Sequence, residues 1–88
     1  MSYSIIWELN SFNELEKLPK EISVRILDKL DFIKENPEHF IEKLKGMLEF
    51  KVRVGDYRII LLIDKTNKIL KIQSVGHRKN IYKKYSSD

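Results

Sequence analysis

The sequence contains no cysteine, which excludes disulfides and thiolate chemistry. Glycine is scarce, three in 88 residues, and none of the three belongs to a glycine-rich phosphate loop. The two prolines, Pro19 and Pro37, interrupt helical patterns and form no linker. Long apolar runs are missing as well. The longest, Ile59 to Ile63, is far below the roughly 20 residues a membrane helix needs. The stretch Met1 to Glu8 has neither the basic region nor the apolar core of a secretory signal. A soluble, cytoplasmic chain with no membrane association is therefore expected. Histidine, aspartate and glutamate do not recur at metal-ligand spacing, and no serine occupies a nucleophile elbow. No metal, cofactor or small-molecule ligand is expected.

Arginine is also rare, and its placement is selective. Three of the four arginines, Arg53, Arg58 and Arg78, lie in the second half of the chain, while lysine is the common base elsewhere. The net charge of +4 hides a division: residues 1–44 carry −3 and residues 45–88 carry +7. A basic C-terminal half points to a polyanionic partner.

A chain of this length makes one domain, residues 1–88, with a single modest core. Tyr3 to Trp7 reads as a first strand. Ser11-Phe12-Asn13-Glu14 fits a capping box that opens a helix carrying Phe12, Leu15 and Leu18 up to Pro19. Ile22, Ile26, Leu27, Leu30 and Ile33 keep helical spacing over about Lys20–Glu35, and Asn36-Pro37 ends that helix. Phe40, Ile41 and Leu44 lead to Gly46 through a loop or short helix. Strands follow at about Glu49–Val54, Tyr57–Asp64 and Ile69–Val75. Tyr57–Ile63 is apolar on both faces, which places it centrally. Asn80–Tyr85 forms a last short helix or a tail. The expected fold is α+β: a small, mostly antiparallel sheet in the order β-α-α-β-β-β, packed against an N-terminal helical hairpin. The carboxylates Glu14, Glu16, Glu35, Glu38 and Glu42 are expected on solvated faces.

The most informative segment runs from Phe50 to Arg58. Alternation sends Phe50, Val52 and Val54 to one face and Lys51 and Arg53 to the other. Gly55-Asp56 reads as a two-residue loop, which pairs Val54 with Tyr57 and Arg53 with Arg58. Lys51, Arg53 and Arg58 then share a face, although like charges directly opposite one another destabilise a sheet. Such a face is either an anion site, with phosphate the best candidate, or a solvated basic surface. The turn Lys65-Thr66-Asn67-Lys68 leaves the register of the last strand open, and with it the face taken by Arg78.

The Leu44-Lys45-Gly46 step, Arg53-Val54-Gly55-Asp56-Tyr57-Arg58 and Val75-Gly76-His77-Arg78 with Tyr82, in this order of elements, resemble the RelE branch of the RelE/ParE toxin superfamily. The resemblance covers nearly the whole chain. It implies the RelE-like fold and a toxin of a type II toxin–antitoxin pair. Such a toxin is a metal-independent endoribonuclease that enters the ribosomal A site and cuts mRNA by attack of a ribose 2′-hydroxyl on the neighbouring phosphate. It implies roles for Lys51 and Arg53 on the 2′-hydroxyl and the RNA, and for Arg58 on the phosphate. Arg78 would stabilise the transition state and Tyr82 would position the nucleotide. The proton donor is open between Arg78 and His77, because His77 stands where some relatives have lysine. Lys45, Lys79 and Lys83 join Lys51 and Arg53 as expected RNA contacts. The implied partners are a RelB-like antitoxin, the ribosome and mRNA. Two other readings remain at this point: a ParE-like gyrase inhibitor on the same fold, and an inactive RNA- or ribosome-binding module.

Overall fold

Nine residues from Ile69 to His77 form β5, and this strand organises the sheet. On one side it pairs in parallel with β1 (Ser4–Trp7), on the other antiparallel with β4 (Tyr57–Asp64). The structure is a computed structural model that describes residues 2–85. β3 (Phe50–Val54) pairs antiparallel with β4, and a two-residue strand, β2 (Glu42–Lys43), pairs antiparallel with the start of β3. The order across the sheet is β1-β5-β4-β3-β2, so the doubly apolar Tyr57–Asp64 strand is central, as its composition requires. β2 is a strand where the sequence reads as loop or short helix. Two residues carry too little periodicity to register, and only pairing with Phe50 and Lys51 defines them.

One face of the sheet is covered by α1 (Leu9–Glu16) and α2 (Lys20–Ile33). Ile26, Leu30 and Ile33 of α2 are completely buried against Val52, Ile59, Leu61, Leu70 and Ile72. Each such side chain contributes about 1.5–3 kcal/mol relative to exposure. Leu27, grouped with them by spacing, is 45% exposed and lies outside this stripe. A single 3-10 turn, Pro37–His39, follows α2. The opposite face carries a second, smaller cluster of Leu44, Ile60 and Ile81, with Met47, Tyr82 and Tyr85 packed on it. Ile81 belongs to α3 (Arg78–Lys84), which settles the C-terminal segment as helix.

The capping box does not form. α1 begins at Leu9, and Ser11 sits fully buried inside it, facing β5. Its hydroxyl lies 2.7 Å from the Glu8 carbonyl and 2.9 Å from the Ile72 carbonyl, so it links helix to strand instead of capping. Glu14, expected on a solvated face, is half-buried. It accepts hydrogen bonds from the Ser74 hydroxyl (2.8 Å) and the Val75 N–H (3.2 Å). Among the described residues, no helix is long and apolar enough to cross a membrane.

Candidate functional site

The β3–β4 hairpin turns through Gly55 and Asp56, with Gly55 at φ +60°. A positive φ at the first loop residue is what glycine supplies without a Cβ penalty. The resulting register pairs Arg53 with Arg58 and Lys51 with Ile60, as the sequence requires. Lys51, Arg53 and Arg58 therefore point to the sheet face opposite α1 and α2, where they line one open cleft of about 520 Å³.

Arg78 is the first residue of α3, not part of the last strand. Its N–H donates to the Asp56 carbonyl at 2.9 Å, which fastens the start of the helix to the hairpin turn. Tyr82 follows four residues later, one turn on and on the same side of the helix. Ile81 anchors α3 in the small cluster beneath, so Arg78 and Tyr82 complete the cleft wall with Lys79.

Arg58 is the most constrained cation of the group, only 7% exposed. Its Nη1 donates to the carbonyls of Gly55 (2.8 Å) and Tyr57 (2.9 Å), and its Nε donates to the Tyr82 hydroxyl (3.1 Å). Lys51 Nζ and Arg58 Cζ lie 5.5 and 5.9 Å from the centre of the Tyr82 ring. Partial burial opposes ionisation of the Tyr82 phenol. The Arg58 hydrogen bond and charge, together with Lys51, outweigh it and hold the phenol below its ordinary pKa. Among the described residues, the side chains of Arg53 and Arg78 make no hydrogen bond or ion pair, and both are exposed.

Several expected residues lie elsewhere. His77 pairs with Tyr57, one position beyond the Arg58–Gly76 pair, so it takes the other face. There it caps α3, its Nδ1 accepting from the Lys79 N–H at 3.2 Å, and its ring packs edge-on to Tyr57. It borders a separate groove with Glu14 and Lys17. Lys45, in the β2–β3 connection, and Lys83, on α3, are exposed and outside the cleft lining. Glu42 is the cleft residue that sequence reasoning missed. Its sequence context predicts a solvated helical face, but β2 sets it opposite Lys51 and makes it, among the described residues, the one carboxylate of the cleft wall. Among the described residues, no three histidine, aspartate or glutamate side chains are grouped to hold a metal ion.

Among the described residues, five cations face one carboxylate around an open cleft, an arrangement that a bound anion would stabilise. Guanidinium groups engage phosphate bidentately. A cluster of fixed positive charge also stabilises a transition state that gains negative charge.

Solved structures that resemble this chain include toxin–antitoxin complexes. The RelBE2 toxin–antitoxin complex of Mycobacterium tuberculosis matches with a TM-score of 0.83 at 23% identity, over 89% of this chain and 100% of that one. The archaeal RelE–RelB complex of Pyrococcus horikoshii matches at 29% identity and a TM-score of 0.74, over 89% and 97%. The intact RelBE complex of E. coli matches at 23% identity and 0.75, over 86% and 96%. The fold is thus that of the RelE toxins. The chain belongs to the family described as "ParE toxin of type II toxin-antitoxin system, parDE", whose model matches residues 5–82. It is a type II toxin of the RelE/ParE superfamily. No curated protein sequence matches it.

Proposed function

We propose that this toxin is a ribosome-dependent endoribonuclease that cuts mRNA in the A site. The observation that carries this reading is the convergence of Lys51, Arg53, Arg58, Arg78 and Tyr82 on one cleft. In the proposed reaction the ribose 2′-oxygen attacks the adjacent phosphorus and gives up its proton. The bond from phosphorus to the 5′-oxygen breaks, and that oxygen gains a proton. Glu42, set opposite Lys51, takes the first proton, Lys51 holds the phosphate as a cation, and a water molecule supplies the second proton. Arg58, held by three hydrogen bonds, and Arg53 stabilise the charge on the phosphorane. Arg78 borders the leaving-group side, and the Tyr82 ring orients the base. His77, bound to the Lys79 N–H on the far face, is poorly situated to donate the second proton.

A cognate antitoxin of the RelB type is the proposed partner. The relatives from M. tuberculosis, P. horikoshii and E. coli were each crystallised with theirs. An acidic segment of such a partner would complement the basic cleft.

Cleavage mapping of mRNA on programmed ribosomes tests the function. Cuts within the A-site codon that vanish with Arg78→Ala support it. Intact mRNA together with gyrase-linked DNA breaks in a supercoiling assay would instead favour gyrase poisoning, the reading that the ParE family match also allows.

A further inference from the structure

The cleft does not account for the fourth arginine. Asp28, Lys29 and Phe32 lie three, four and seven residues after Arg25 on α2, which sets the four in one stripe. That stripe borders a second cavity of about 390 Å³ whose other wall is Arg53, Val54 and Gly55. Arg53 is therefore common to both cavities. β2 pairs only with Phe50 and Lys51, so it does not extend along the outer edge of β3 to Arg53, which is exposed.

The Arg25 guanidinium lies directly on the hairpin turn. A Cβ on Gly55 would stand 3.0 Å from Arg25 Nη2. Among the described residues, the Arg25 side chain makes no hydrogen bond or ion pair, despite Asp28 on the same stripe. Phe32, 64% exposed, ends the stripe as a ring braced edge-on by Phe40 at 5.2 Å, and Lys29 Nζ sits 5.3 Å from the Phe40 ring. Cations that track a backbone and end in an exposed aromatic ring make up a single-strand binding surface.

We infer that the Arg25–Lys29–Phe32 stripe is a second RNA subsite, engaging the strand as it leaves the cleft past Arg53. Arg25 and Lys29 hold backbone phosphates, and Phe32 stacks on a base. Asp28 opposes binding and limits its strength. The inference rests on the reading of the cleft as an RNA site, and it concerns the path of the strand outside it.

The test is binding of the full chain to a single-stranded RNA of about 12 nucleotides, within the usual site sizes. Its riboses carry 2′-O-methyl groups, so it cannot be cut by 2′-attack. R25Q/K29Q should bind more weakly, and its slope of log affinity against log salt should fall by about 1.4, that is 0.7 for each lost phosphate contact. The control K17Q/K20Q removes equal charge outside the stripe and should leave the slope unchanged. Phe32→Ala should lose at least about fivefold in affinity. Asp28→Asn should bind more tightly than wild type, a gain that misfolding cannot produce. Wild-type affinity and slope in R25Q/K29Q would overturn the inference. So would a loss confined to polyglutamate with RNA binding intact, which would assign the stripe to an acidic protein partner. If wild type binds the RNA as described but cuts no mRNA on ribosomes, the cleavage reading fails and the subsite stands.

Discussion

Arg58 Nε donates to the Tyr82 hydroxyl at 3.1 Å, and this bond joins the central strand of the sheet to the last helix across the floor of the cleft. It fixes an arginine that is 7% exposed and has no carboxylate beside it within hydrogen-bonding distance among the described residues. It also gives the phenol a partner that favours its ionised form.

The phenol can be titrated. Burial of Tyr82 resists ionisation, but Arg58 and Lys51 overcome that and hold its pKa below the ordinary value. Because the folded value is depressed, the associated stability is complete above the ordinary tyrosine pKa of ~10. It is lost as pH falls through the folded value, so stability near neutrality is insensitive to this group. Tyr85 is shifted the opposite way, chiefly by burial and then by Glu49, Glu14 and Glu8. In an absorbance titration Tyr82 should ionise before Tyr85, and Tyr82→Phe should remove the earlier step. Persistence of that step in the variant would refute the pairing. Tyr82→Phe should also cost about 1.5–3 kcal/mol in urea unfolding, the contribution of a hydrogen bond to a charged group.

Arg58 and Arg78 should separate stability from activity. Arg58→Lys cannot reproduce donation to Gly55, Tyr57 and Tyr82 from one planar head. It should cost about 1–3 kcal/mol in urea unfolding and about 10²–10³ in cleavage rate. Arg78 is exposed, and its structural contact is made by its main chain. Arg78→Ala should unfold within about 0.5 kcal/mol of wild type while losing cleavage. Equal destabilisation by the two variants would contradict this division.

The hairpin cations were legible because alternation and a two-residue loop determine register locally, and Arg53 pairs with Arg58 as the spacing requires. The position of Arg78 was not legible. It depends on a register shift between Ile60 and Leu61 and on the switch from strand to helix after His77. His77 is the same problem seen from the other face: one position along β5 decides whether a side chain meets the cleft or the groove beside Glu14. Glu42 was invisible because β2 exists only through its partner strand. Ser11 and Glu14 have the spacing of a capping box, but burial against β5 offers both side chains stronger uses than the end of α1.

Glu14 should matter to stability far from the cleft. It accepts from the fully buried Ser74 hydroxyl and from the Val75 N–H. Glu14→Ala leaves two donors without their acceptor and should cost about 1–3 kcal/mol in thermal or urea unfolding. Glu14→Gln keeps an acceptor oxygen and should recover a large part of that loss. Equal losses in the two variants would show that charge, not acceptance, is what the site requires.

Gly55 carries two separable constraints. Its φ of +60° disfavours any L side chain, and a Cβ would meet Arg25 Nη2 at 3.0 Å. The first cost is intrinsic to the backbone, of order 1–3 kcal/mol. The second ends in a flexible side chain and can be relieved. Gly55→Ala should therefore destabilise the protein by about 1–3 kcal/mol, and adding Arg25→Ala should return only the steric part. A double-mutant cycle by urea unfolding measures that part as the coupling between the two sites. A coupling equal to the whole loss would mean that the guanidinium, and not the turn conformation, selects glycine here. Near-zero coupling would mean that Arg25 moves aside freely and is not held against the hairpin.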